Sequence, residues 1–344
     1  MELSDSIHSL LLISPKTYNY HQILSDACVH SGIDYVWLDE RPSSSAFFKV
    51  ISRKLNKFTR KLSVRHYISR LQSIKSSGFV PSHILVIKGE SIHRSVVDYM
   101  RNFFPGAKLV LYFWDSTKNL PGYLELVKLF DVVASFDSLD CKLNGWRYHP
   151  LFCGNPADAE TSLISSGSNP MYGWSFVGVV HSDRLPVLDK LIRASRAINS
   201  FFVYIYFPSF FHFFYFFIAS PLPFLRLRRY FRSSPLSPTR LRSVYGQSRC
   251  VLDIHHPGQS GLSMRTIESV VSGVKLATTN LSISRDIFYD ETRVFIVDRG
   301  NPSISSDFLA VGANPLANSV SCFFQPSSWL CSLLSIKPLN FDKG

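Results

Sequence analysis

The stretch 251–280, VLDIHHPGQSGLSMRTIESVVSGVKLATTN, restricts what this chain can fold into more than any other. Val251, Leu252 and Ile254 open it as a short apolar run, which Pro257 and the glycines at 258 and 261 interrupt. From Ser263 onward Met264, Ile267, Val270 and Val271 recur at helical spacing. Ser263 is placed to cap that helix and Gly273 to end it. Residues 274–279 read as a second buried strand. Strand, loop, helix and strand make the repeating unit of an open α/β sheet. Ligands of such sheets bind at the carboxyl ends of the strands, where helix N-termini face a crevice. The loop 257–261 and the first helical turn are therefore placed to meet an anion such as a phosphate. Arg265 and Glu268, three residues apart, occupy neighbouring positions on one helix face.

The segment SGLSMRTIESVVSGVKLATTN resembles the donor-binding segment of the GT-B glycosyltransferases, in particular the bacterial group-1 and CgeB-like transferases of surface polysaccharide synthesis. VIKGE, YFWDS and SFDSLDC, within 84–152, resemble the N-terminal domain of the same group more loosely. The resemblance implies an α/β fold of two Rossmann-like domains facing across a cleft. It implies that Glu268 holds the ribose hydroxyls of a nucleotide-sugar, and a carboxylate can accept two such hydrogen bonds at once. Ser272 and Gly273 match the small residue and glycine that follow in the family, while Ser260 stands where many members carry a first Glu. Gly178 and Arg184, around the end of the strand 174–180, match the region that meets the diphosphate, and Arg suits bidentate phosphate recognition. His255, Ser260, Gly261 and Arg265 complete the implied donor set.

The remaining strands supply candidates for the acceptor side. Apolar runs at 10–14, 34–38, 83–88, 107–113 and 131–136 predict a parallel sheet in the first half. At their carboxyl ends stand Lys88 and Glu90, then Asp115, then Asp137. Asp115 is the first candidate for a general base and Glu90 the second, with Lys88 and Asp137 beside the acceptor. Glu90 and Asp137 also suit simple helix caps. No Walker A loop, G-x-S-x-G or G-x-G-x-x-G motif is present. Asp-x-Asp, which holds a metal against a diphosphate in the GT-A transferases, is also missing. The expectation is catalysis without a bound metal or cofactor, helix dipoles and Arg stabilising the departing diphosphate. Asp253, His255 and His256 make a poor metal set, because adjacent residues on a strand point to opposite faces.

Length and the polar, irregular stretch 146–167 predict two domains, 1–155 and 170–305, which the resemblance implies are the acceptor domain and the donor domain. The tail 306–344 would carry one short docking helix near Trp329. The chain is basic, with a formal net charge of +12. Residues 41–89 contain no acid, and 46–73 read as a basic amphipathic helix with Phe47, Ile51, Leu55, Phe58 and Leu62 on one stripe. Residues 201–224 are dominated by Phe and Tyr, broken by Pro208, Pro221 and Pro223, and followed by Arg226, Arg228, Arg229 and Arg232. They predict a strand over 201–207 and then an aromatic helix. Aromatic residues beside cationic ones suit the headgroup layer of a bilayer, so 46–75 and 201–232 are expected membrane-surface segments. A buried core helix or, last, a transmembrane span over 201–224, and a solvated basic face for 46–75, are the alternatives. No nucleic-acid motif accompanies the charge, and nucleic acid is not an expected partner. The six cysteines form no CxxC pair and the N-terminus lacks signal-peptide character, so a cytoplasmic protein, peripheral on the inner face of the membrane, is expected. The functional expectation is transfer of a sugar from a nucleotide-sugar donor to a growing surface polysaccharide, with lipid-linked glycans among the acceptors. A non-catalytic membrane scaffold that keeps the transferase fold is the alternative.

Overall fold

The computed structural model describes residues 8–16, 19–41, 56–119, 124–154, 170–195, 200–314 and 316–337. The chain divides into two compact units, Met1–Pro150 with Pro326–Gly344, and Leu151–Gln325.

The first unit is built on a six-stranded parallel sheet in the order β2-β1-β3-β4-β5-β6. Its strands are β1 (Ser9–Ser14), β2 (Asp34–Asp39), β3 (His83–Ile87), β4 (Lys108–Phe113), β5 (Val132–Ser135) and β6 (Arg147–Tyr148). Leu10 to Ile13, Ile84 to Ile87 and Leu109 to Phe113 are continuously buried. That is the pattern of parallel strands covered on both faces, each large side chain contributing about 1.5–3 kcal/mol by leaving water. The helix Asn56–Ser76 covers part of the sheet through Tyr67 and Leu71, with Val64 and Ile74 packed alongside. Leu62 is exposed, and Phe47, Ile51 and Leu55 lie outside the described residues. The C-terminal helix Pro326–Leu334 also belongs to this unit. Trp329 is fully buried there, donating from Nε1 to the Pro150 carbonyl at 2.6 Å and ring-packed against Tyr112 and His149.

The second unit has its own six-stranded parallel sheet, in the order β12-β11-β10-β7-β8-β9. These are β7 (Trp174–Val179), β8 (Phe201–Tyr206), β9 (Phe231–Arg232), β10 (Cys250–Asp253), β11 (Lys275–Thr278) and β12 (Val294–Ile296). Numbered within the unit, the order is 6-5-4-1-2-3, the 3-2-1-4-5-6 arrangement of dinucleotide-binding sheets read from the other edge. Strand order therefore reverses between β7 and β10, and the predicted strand–loop–helix–strand stretch begins on the β10 side of that point. The helix Met264–Val271 starts where expected, with Ser263 Oγ accepting from the Thr266 amide, and Gly273 adopts a φ of 79° beyond its end. After β11 the chain makes a 3-10 turn, Leu281–Arg285. Asn280 Oδ1 caps its start at the Ser282 amide, and Asp286 returns to extended backbone, which stops the helix after five residues.

Candidate functional site

At the reversal point of the second unit, three arginines gather around two carboxylates. Asp253, the last residue of β10, is fully buried and accepts from Arg265 Nη1 at 2.7 Å and from Thr266 Oγ1 at 3.1 Å. Burial alone would raise its pKa, but the charges of Arg265 and Arg184 and its hydrogen bonds hold it below the usual carboxylate range. Arg265 also donates through Nη2 to the Val177 carbonyl at 2.7 Å, tying the helix to β7 as well as β10. Gly178 explains how it fits: a Cβ there would lie 2.7 Å from Arg265 Nη2. Gly178 stands within β7, paired with Ile205, so what it supplies is room for a guanidinium.

Arg184 opens the helix Arg184–Ser195 and is buried. Its Nε donates to the Ile254 carbonyl at 2.7 Å and its Nη1 to Val179 at 2.6 Å. Burial, then the neighbouring Arg265, pulls its pKa down to about 9. The side chain thus fastens the loop after β7 to the end of β10. Arg299 is the more accessible cation and had no signal in the sequence. It donates to Asp183 Oδ1 at 2.5 Å, to the His255 carbonyl at 2.8 Å and to Thr279 Oγ1 at 3.0 Å. Burial would raise the pKa of Asp183, but hydrogen bonding and charge from Arg299 lower it. Arg299 Nη2 also lies 3.0 Å from His255 Nδ1. A guanidinium only donates, so Nδ1 is the accepting nitrogen and Nε2 carries the proton. Burial and then Arg299 take the His255 pKa down to about 4, which keeps the imidazole neutral near pH 7. His181, at a ring-centroid distance of 5.5 Å from His256, is lowered to about 3, first by burial and then by Arg184.

The loop 257–261 is held from β11's far end. Asn280 Nδ2 donates to the carbonyls of Ser260 and Gly261, both at 3.2 Å, and the Gly258 amide donates to His256 Nδ1 at 3.1 Å. Glu268 lies half-buried one turn beyond Arg265; burial raises the pKa of the nearby Tyr245 hydroxyl, Arg265 opposes that rise and Glu268 adds to it. His255, Ser260, Gly261, Arg265 and Glu268 are therefore brought to one end of the sheet with Arg184 and Gly178. Asp253 and His255 are engaged with arginines rather than grouped with His256, as a metal site would require.

The first unit gathers a second polar cluster at its own strand ends. Lys88, in left-handed backbone at φ 71°, places Nζ 3.0 Å from Glu90 Oε2 and 3.9 Å from Asp115 Oδ2. Arg41 approaches Glu90 at 3.9 Å. Lys88, Glu90 and Asp115 are thus together, as expected, and partly open to solvent. Asp137 is buried and caps the helix Ser138–Asn144 by accepting from the amides of Leu139 and Asp140. Reasoning from sequence missed Glu40. It is fully buried just past β2, accepts from the Ser91 amide at 2.5 Å, and offers its own carbonyl to Tyr67. Burial pushes its carboxyl pKa up to about 8.

No family model and no curated protein sequence matches the chain. Solved structures are similar to it across most of its length at low identity. An apo structure of OtsA matches with a TM-score of 0.59 and 10% identity, covering 96% of this chain and 100% of that one. An alpha-glucosyltransferase in complex with UDP and a 13-mer DNA matches at 0.55 and 10%, covering 85% and 87%. A glycosyltransferase from Rickettsia africae matches at 0.53 and 11%, covering 97% and 95%. The fold is that of the GT-B glycosyltransferases. Within a GT-B fold, the arginine cluster belongs to the second Rossmann-like unit and the Lys88 cluster to the first.

Proposed function

We propose that this chain is a glycosyltransferase that takes a sugar from a nucleotide-sugar and adds it, without a bound metal, to a growing surface polysaccharide, lipid-linked glycans being among the acceptors. The observation that carries the reading is the arginine array at the β7–β10 reversal, in the unit whose strand order suits a nucleotide. UDP in one similar structure supports the same ligand class. Arg299, the His255 Nε2–H and the amides that open the helix Met264–Val271 would meet the diphosphate, where positive charge and a helix N-terminus favour an anion. Glu268 would take the ribose hydroxyls. Arg184, Asp253 and Gly178 act as positioning residues, because their polar atoms or space already serve Val179, Ile254 and Arg265.

In transfer, the acceptor hydroxyl oxygen bonds to the anomeric carbon as the bond from that carbon to the diphosphate oxygen breaks. The nucleoside diphosphate leaves with the electron pair. Asp115 receives the hydroxyl proton if the reaction inverts, with the Lys88 ammonium close to it and to Glu90. The acceptor's surface-polysaccharide class rests on the resemblance of 249–280 to the group-1 and CgeB-like enzymes, and the place of work would be the cytoplasmic face of the membrane. The test is equilibrium binding of UDP-, GDP- and TDP-sugars to the full chain, beside Arg299→Ala and Glu268→Ala. One donor should bind, and each variant should weaken it by about 10- to 100-fold, the range of a lost charge-assisted hydrogen bond. Absence of binding by any donor to folded protein would overturn the reading.

A further inference from the structure

The helices Phe210–Ala219 and Pro221–Leu227 form a sharply bent pair, 120° apart when the second is followed to Tyr230. One face of the pair is fixed to the core of the second unit. Phe216, Phe224 and Leu227 are buried there, and the rings of Phe207, Phe213, Phe224 and Phe231 pack together with centroids 4.8–6.2 Å apart, edge to face in every pair but the tilted Phe207–Phe224. The other face is apolar and open. Phe211 is 85% exposed and Phe210 75%, and Phe214, Tyr215, Ile218 and Leu222 are more than half exposed. A soluble surface seldom leaves such a contiguous patch uncovered. Ring packing on the inner side holds the outer side in place, so exposure is a property of the fold here.

Charge selects the occupant. Between Asp189 and Asp253 the sequence contains no acidic residue, while Arg226, Arg228, Arg229, Arg232, Arg240 and Arg242 follow the aromatic helix. Arg226 is paired with Asp189 at 3.0 Å, but Arg228, Arg229 and Arg232 are exposed. Arg229 and Arg232 lie over the rings of Tyr230 and Tyr204, at 4.7 and 5.7 Å. No single helix among the described residues is long and apolar enough to cross a bilayer, and the bend rules out one straight span through this pair. An apolar face with a cationic margin suits shallow insertion into a headgroup layer. We propose that the bent aromatic pair is a membrane-docking wedge that seats the second unit on an anionic bilayer, with Phe210, Phe211, Phe214 and Ile218 entering the acyl boundary and Arg228, Arg229 and Arg232 meeting the lipid phosphates. The wedge stands independently of the sugar-transfer reading.

The test is co-sedimentation of the full chain with phosphatidylcholine vesicles, with and without about one-third phosphatidylglycerol, at low and high salt. Phe211→Ser with Ile218→Ser, and separately Arg228→Glu with Arg229→Glu, alter only exposed positions, and circular dichroism checks the fold. The chain should sediment with the anionic vesicles, and each double variant should reduce the bound fraction at least ~10-fold. Salt should weaken the wild type more than the arginine variant. Failure of the wild type to bind anionic vesicles, or full retention by the serine variant, would overturn the proposal. So would a wild-type dimer that the serine variant converts to monomer without change in vesicle binding, since a second copy would then be the occupant.

Discussion

At the residue scale, the second unit depends on a buried charge pair with no slack. Asp253 is fully buried and Arg265 joins it to β7, so neither can lose its partner without leaving a charge in a low-dielectric site. Arg265→Ala should destabilise the second unit by about 3–5 kcal/mol, read as an earlier urea transition followed by tryptophan fluorescence of Trp174. Glu40 gives a prediction in pH. Its folded pKa of about 8 lies above the ordinary carboxylate value, so the unfolded chain gives up its proton first as pH rises. Stability of the first unit should therefore fall between about pH 4.5 and pH 8 on account of this group. Glu40→Gln should match the wild type near pH 4 and exceed it near pH 8 by roughly 2–4 kcal/mol, a difference that paired thermal melts would measure. Equal pH dependence in the two proteins would remove Glu40 from the account. Neither Glu40 nor Arg299 was legible in the sequence. Each draws its meaning from partners far along the chain, Ser91 and Tyr67 for one and Asp183, His255 and Thr279 for the other.

At the element scale, local chemistry was far more readable. The cap at Ser263, the end near Gly273 and the strands on either side all follow from spacing that the backbone obeys directly. The Lys88, Glu90 and Asp115 cluster was readable because parallel strands deliver their next residues to one end of a sheet. Asp137 illustrates the limit of that rule, since it sits at the same end and its described bonds go to its own helix amides. In the long basic helix, which residues meet the sheet was not visible in the spacing, and Tyr67 and Leu71 do so. Gly178 gives the sharpest test at this scale. A methyl at 178 would press on Arg265 Nη2 and on the Phe176 ring, at 2.7 and 3.2 Å. Gly178→Ala should destabilise by about 1–3 kcal/mol in chemical denaturation and weaken donor binding, because the Arg265 guanidinium must move.

At the scale of the whole molecule, the chain makes two Rossmann-like units and sends its last helix back to the first. The tail was expected to carry a docking helix, but where it docks was not visible, because Trp329 finds Pro150 and His149 across nearly 180 residues. Deleting 326–344 removes the buried Trp329, Leu330, Leu333 and Leu334, each worth about 1.5–3 kcal/mol. Calorimetry should show the first unit's transition lowered or lost while the second unit's remains. The central claim is that the second unit binds the nucleotide part of a donor at its β7–β10 reversal. Hydrogen–deuterium exchange of the full chain, with and without saturating UDP, GDP or TDP, tests it most directly. With one of the three, slowed exchange should be confined to residues 178–184 and 255–268 and the neighbourhood of Arg299. Unchanged exchange with all three, or protection only around Lys88 and Asp115, would contradict it.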